Sequence, residues 1–473
     1  MPTMNSANPS PAETVAEKGQ PLPPYAARQA ELFARLGPQA VLILPAAREQ
    51  RRNGTNTYPF RQSSDLLYLT GFDEPDAVAV FSTISGSGKF VLFLKPRDKV
   101  REQWTGRRMG SDEAPAKIGC HSAHDLAELE PLLGSLIDGS QTVYAPLGDD
   151  EAFDAMLLRS CKKLRQNERN GGRAPLRLAD VSTLLHELRL HKDAESLRCM
   201  RRAAAITCEA HLTAMAAARA GRHEYEIRAL IDYVYARQNA TPGYDTIVGA
   251  GENATILHYT SCSGVIAPGS LLLVDAGCEW GYHTADVTRT YPVAGADGSR
   301  PAFTRAQHSL YDVVLAAQAA GIATARPGCT IEEVHAACVK TATQGLVELG
   351  LLPATSDLND LIERGEYRRY YVHRTSHFLG MDVHDVGRYF PEGQARVLQP
   401  GTVFTIEPGL YIRGDAEVPA GCEDLRGCGV RIEDDVLILP PGSGALREVL
   451  TAACPKDPDE LVALVGRGFS LTF

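Results

Sequence analysis

The chain has 473 residues, of which 44% are hydrophobic and 22% charged, and a formal net charge of −10. This length exceeds one ordinary hydrophobic core and predicts two or three domains of soluble, globular composition. The acidic balance excludes a global field that would attract nucleic acid or an anionic membrane, and no run reaches the roughly 18 apolar residues of a spanning helix.

Residues 1–21 are rich in Pro, Ala, Ser and Glu and lack the basic start and apolar stretch of a signal peptide. They read as a disordered leader. From residue 22 to 190 apolar strands alternate with helical stretches, the pattern of an α/β domain. Ala40 to Leu44, Ala77 to Phe81 and Lys89 to Leu94 read as strands, because short β-branched runs bounded by turn residues favour them. Tyr25 to Leu36 and Ser122 to Leu133 read as helices. Near His191 the character changes. Asp193 is a candidate N-cap for a long Ala-rich helix reaching about Ala220. Residues 191–473 therefore read as a second domain, with a tail from about residue 446. The 11 cysteines are scattered, and no pair has Cys-x-x-Cys spacing. They read as reduced core thiols of a cytoplasmic protein.

The second domain carries an internal duplication. Ala218-Arg219-Ala220-Gly221 is followed by Glu226, and Ala325-Arg326-Pro327-Gly328 by Glu333, in both cases five residues past the Gly. Each marks a helix that ends at Gly before another begins. Pro268-Gly269-Ser270 then leads to Asp275 and Gly277, as Pro400-Gly401-Thr402 leads to Glu407 and Gly409. In each half a turn feeds a strand whose end presents a carboxylate.

A second acid follows in each half. Asp286 comes after a stretch that reads as a hairpin, which would return it alongside Asp275. Glu433 lies in Gly-Val-Arg-Ile-Glu-Asp-Asp, beyond a Gly-rich connection. Duplication predicts that the four carboxylates converge. Like charges so close raise one another's pKa, and burial adds a desolvation cost, so two divalent cations are expected to balance them. Oxygen-rich ligation with one imidazole, His377, suits Mn²⁺, Co²⁺ or Zn²⁺. His258, His373 and His384 stand near these ligands in sequence or motif and are candidates for catalysis.

These segments occur in order: Leu257-His258-Tyr259, Val274-Asp275-Ala276-Gly277, Ala285-Asp286-Val287-Thr288-Arg289-Thr290, Ser376-His377-Phe378-Leu379-Gly380, Ile406-Glu407-Pro408-Gly409-Leu410-Tyr411 and Arg431-Ile432-Glu433-Asp434-Asp435. Together they resemble the Xaa-Pro aminopeptidases, the aminopeptidase P family. Tyr58 to Gln62, Tyr68 to Phe72 and Trp104 to Arg108 resemble its N-terminal domain, so the likeness spans roughly residues 22–466. One departure is Arg374, where the family often has Gly after the histidine matching His373.

The resemblance implies a pita-bread fold: a curved antiparallel sheet, helices outside, and a pseudo-two-fold duplication. It implies a dinuclear metal-dependent exopeptidase, with Mn²⁺ expected first, that cleaves peptides with proline at the second position. Asp286 and Glu433 would bridge both ions, Asp275 would complete one, and His377 with Glu407 the other. A bridging hydroxide would be the nucleophile and Glu407 the general base. His384 and His258 would bind the substrate and the oxyanion. His373 joins the catalytic set, and Arg431 would hold a ligand carboxylate. Tyr411, Tyr259 and Trp104 are substrate-binding candidates, with Trp104 placed to reach the cleft of another chain in a homodimer or homotetramer. The alternatives are a prolidase restricted to Xaa-Pro dipeptides and a metal-free pita-bread scaffold.

Overall fold

The computed structural model describes residues 24–468; the 1–21 leader lies outside them. The chain divides after Arg189 into two compact units. The first is built on a six-stranded sheet. Its strands run in the order Ser122–Asp125, Lys89–Leu94, Val78–Ser82, Ala40–Pro45, Thr142–Ala145 and Arg177–Asp180. The two central pairings are antiparallel and the outer three parallel, giving a mixed α/β sheet. Val41, Ile43, Val80 and Phe93 pack against Leu133, Ile137, Phe153 and Leu157 of helices Leu129–Ile137 and Glu151–Gln166.

One expected helix is corrected here. Ser122–Asp125 is a strand, paired in parallel with Lys89–Leu94, and the α-helix begins only at Leu129. The helix-start signal sits later than Ser122. Asp125 caps the intervening turn and forms a reciprocal box with Glu128.

The second unit opens with helix Ala194–Ala217, whose N-terminus is capped by Asp193 accepting from the Ser196 N–H at 2.7 Å. Helix Glu224–Arg237 follows, and Arg305–Thr324 and Ile331–Glu348 form the second such pair. The duplication is visible in the hydrogen bonds. Gly221 and Gly328 have φ of +85° and +87°, a region that a side chain would strain. Their N–H groups donate to Ile266 O and Leu398 O, each at 2.9 Å. His223 then bridges Val265, and Thr330 bridges Val397, both antiparallel. The same turn is thus held in the same way in both halves.

The strands of this unit pair antiparallel. Leu271–Asp275 lies between Ile247–Ala250 and Thr288–Pro292, and Asp434–Ile438 between Val403–Ile406 and Arg447–Val449. Gly409–Ile412 pairs with Cys428–Arg431. The halves are joined where these strands end: Glu433 N donates to Thr288 O at 3.1 Å, and Thr290 Oγ1 donates to Arg431 O at 3.1 Å. An extensive apolar core, including Ile227, Ile231, Val274, Tyr291, Leu310 and Val430, supports this junction from the helix side.

Candidate metal centre

Each acid arrives by a local device. Leu271 to Val274 are fully apolar and buried, so their strand is fixed and Asp275 projects from its end. Directly after it, a Cβ on Gly277 would stand 1.8 Å from Ala285 O. Only glycine lets the returning chain pass so closely, and this brings Asp286 beside Asp275. Glu407 follows the buried strand Val403–Ile406, and its N–H donates to Thr375 O at 2.8 Å. Glu433 sits between two buried strands on the Thr288 junction.

Asp275, Asp286, His377, Glu407 and Glu433 all line one cavity of about 500 Å³. Ligand atoms of Asp286, His377 and Glu433 lie within 4.8 Å of one another. His377 Nε2 is 3.4 Å from Asp286 Oδ2 and 3.6 Å from Glu407 Oε1. Its Nδ1 lies 3.1 Å from Phe378 O, which orients the ring with Nε2 towards the acids.

The electrostatics follow from burial and from the closeness of the acids. Burial pushes the Glu407 carboxyl up to about 7 against the pull of His377. Burial also raises Asp275, although Arg431 opposes it, and lifts Glu433 well above the carboxylate range with Asp286 adding to the effect. Burial disfavours a charged His377, but the hydrogen bond to Asp286 and the field of Glu407 outweigh it and raise the ring to about 9. The acids collectively demand positive charge. A carboxylate-rich set with one imidazole is a donor set suited to divalent cations, so the residues fit a metal centre.

Buried Arg431 anchors one side. It donates to Asp275 Oδ2 at 2.6 Å, Tyr411 Oη at 2.8 Å and Thr288 Oγ1 at 3.0 Å. Thr288 Oγ1 in turn donates to Glu433 Oε2 at 2.7 Å. Tyr411 Oη is also 2.8 Å from His373 Nε2. Burial and then Arg431 lower His373 to about 4, so the ring is neutral at physiological pH. His384 stacks edgewise on His377 with ring centroids 4.3 Å apart. It lines the cavity, as do His258, His373 and Arg431.

Two further substrate-contact candidates are placed as follows. Tyr259 follows His258 in sequence but does not line the cavity, because its hydroxyl meets Asn253 Nδ2 at 3.0 Å and Ser263 N at 3.2 Å. Trp104 belongs to the first unit, on helix Lys99–Thr105, and is 86% exposed.

The structure also adds residues that sequence reasoning missed. Tyr244 Oη is 2.5 Å from both Asp275 Oδ1 and Asp286 Oδ1. The Asp286 N–H donates to Asp435 Oδ2 at 3.2 Å. Buried Arg289 donates to Glu433 O at 2.5 Å and pairs with Asp434 at 2.7 Å, holding the strand beneath the ligand. No period or spacing marks Tyr244. The only available signal for Arg289 and Asp434 was that each stands within three residues of a predicted ligand.

The pattern of metallopeptidase family M24 matches residues 198–440, and that of the aminopeptidase P N-terminal domain matches residues 25–144. The chain is 41% identical to the Xaa-Pro aminopeptidase of Escherichia coli K12 over 93% of its own length and 96% of that protein's. The structure of an aminopeptidase from Pseudomonas aeruginosa superimposes with a TM-score of 0.87 at 40% identity, covering 93% of this chain and 97% of that one. A zinc-substituted Escherichia coli aminopeptidase P in complex with product superimposes with a TM-score of 0.87 at 39% identity, covering 95% and 98%.

Proposed function

The chain belongs to metallopeptidase family M24, with the pita-bread catalytic domain and the N-terminal domain of aminopeptidase P, and from that premise we propose how its own residues work. It is a metallo-aminopeptidase that hydrolyses the bond between an N-terminal residue and a following proline. The observation that carries this reading is the convergence of Asp275, Asp286, His377, Glu407 and Glu433 in one cavity.

We take the centre to hold two divalent ions, Mn²⁺ by preference with Zn²⁺ or Co²⁺ as substitutes. Asp275, Asp286, His377, Glu407 and Glu433 would hold them. Such ions supply Lewis acidity and lower the pKa of water towards neutrality. Glu407, a carboxylate that reaches the cavity from the end of strand Val403–Ile406, is placed to act as general base. His258 and His384 hydrogen-bond the scissile carbonyl and the oxygen that gains charge, an effect typically worth about 3–4 kcal/mol. His373, tied to Tyr411, joins the catalytic set in the same cavity. Arg431 holds Asp275 in its ligating orientation.

The Xaa-Pro bond is a tertiary amide, so its nitrogen offers no proton and a site that demanded one would reject it. Ile247, Leu257 and Val383 give the cavity apolar wall for the first side chain and the pyrrolidine ring. Kinship with the Xaa-Pro aminopeptidases supports peptides that carry proline at the second position. We further assign the enzyme to the cytoplasm, in keeping with eleven free thiols, and to a homodimer or homotetramer in which Trp104 faces a second copy. Asp286→Asn and Glu433→Gln should each abolish release of the first residue while far-UV circular dichroism is retained. Undiminished turnover in either variant would overturn the ligand assignment.

A further inference from the structure

The cavity is lined by five carboxylates, Asp245, Asp275, Asp286, Glu407 and Glu433, and by two guanidinium groups. Arg431 is buried and committed to Asp275, Tyr411 and Thr288. The other, Arg374, is different in kind. Its side chain is 56% exposed, and among the described residues it pairs with Glu332 in the first turn of helix Ile331–Glu348.

Arg374 is held close to the chemistry. Its carbonyl lies 2.8 Å from His373 Nδ1, and the same Nδ1 is 3.7 Å from Glu407 Oε2. The adjoining Thr375 is buried, and its carbonyl receives the Glu407 N–H at 2.8 Å. The backbone of Arg374 is thus fixed beside Glu407, and its exposed side chain lines the same cavity. Exposed ion pairs are worth about 0–1 kcal/mol, so exchanging one carboxylate partner for another costs little.

We infer that Arg374 is a specificity-determining residue that binds a carboxylate on the third residue of the substrate, just beyond proline. This rests on the Xaa-Pro aminopeptidase reading and extends it to the leaving side of the cavity. An extended residue spans about 3.3–3.6 Å. The third residue therefore places its terminal carboxylate, or an acidic side chain, within about two residue lengths of the scissile carbonyl. A guanidinium fork matches either carboxylate in two parallel hydrogen bonds. Glu332 then acts as an internal competitor that holds Arg374 when no such substrate is present.

The test uses the full-length protein loaded with Mn²⁺ and two matched substrate pairs. One pair compares a tripeptide Xaa-Pro-Yaa as free acid with its C-terminal amide. The other compares Xaa-Pro-Asp-amide with Xaa-Pro-Asn-amide. The expected result is a KM several-fold lower for the carboxylate member of at least one pair, with little change in kcat. That preference should collapse towards unity in Arg374→Ala, be partly restored in Arg374→Lys, and widen in Glu332→Gln. A preference for the terminal acid alone, or for the side chain alone, identifies which source of carboxylate is read. Equal KM values within both pairs for the unaltered enzyme, or a preference that survives in Arg374→Ala, would overturn the inference. Turnover of none of the four substrates is a different failure, because it removes the aminopeptidase reading itself.

Discussion

Replacing Arg431 with Met tests the electrostatic architecture of the site most searchingly. The substitution keeps much of the aliphatic volume but removes a buried cation with three hydrogen bonds, to Asp275, Tyr411 and Thr288. Breaking a buried pair by deleting one partner costs about 3–5 kcal/mol, because the remaining charge is stranded. Asp275 is already raised by burial despite Arg431. Without the guanidinium it rises further and takes up a proton rather than remain an unpaired anion. A metal ion must then displace that proton, so affinity should fall by about 10- to 100-fold and depend more steeply on pH. The assays are denaturant unfolding with metal chelated, and metal titration against a chromophoric chelator at two pH values. Arg431→Lys should rescue only part of the loss, since one ammonium cannot reproduce the planar three-way contact. Chelated Arg431→Met protein with unchanged stability, together with unchanged metal affinity, would refute this account of the site.

Other consequences are equally direct. A Cβ on Gly380 would stand 2.1 Å from Asp385 Oδ2 and 2.9 Å from Lys192 Cε, atoms of a buried ion pair 2.8 Å long. Gly380→Ala should therefore lower the thermal midpoint markedly, by several degrees on the scale of about 2–4 °C per kcal/mol, as read by calorimetry. Asp65 in the first unit is opposed by burial, yet Arg189 at 2.6 Å and His186 at 3.1 Å bring its pKa below the ordinary 3.8. Its stabilising contribution is thus complete above the unfolded value and is lost as pH falls through the lower folded value. Asp65→Asn should cost about 3–5 kcal/mol at pH 7. Its deficit against the unaltered protein should shrink below pH 3.8 in acid unfolding curves. Saturating Mn²⁺ at about 1,000 times its dissociation constant should add about 4 kcal/mol to stability, measured as a shifted unfolding midpoint.

Much of the catalytic unit was legible because its signals are local. Gly221 and Gly328 mark equivalent turns, since both adopt positive φ and both donate to a carbonyl two residues before a Pro-Gly pair. Strand-end acids are legible for the same reason: the apolar run before Asp275 or Glu407 fixes the strand and leaves the carboxylate at its tip. Tyr244 was not legible. It reaches Asp275 and Asp286 from 31 and 42 residues away, across a contact that no periodicity encodes. Tyr259, named as a substrate-binding candidate by resemblance, has its hydroxyl against Asn253 and Ser263. At Ser122 the expected helix start gives way to strand pairing with Lys89–Leu94, and the box at Asp125 and Glu128 opens the helical stretch later.

The central claim is that these five residues form a metal centre that cleaves before proline. Its most direct measurement is metal content and product release in one preparation, using protein stripped of metal, reloaded with Mn²⁺ and given an Xaa-Pro-Yaa tripeptide. The account predicts two ions per chain and release of the free first residue, abolished on stripping and restored on reloading. Full metal occupancy without release of that residue, or release that persists after stripping, would contradict it.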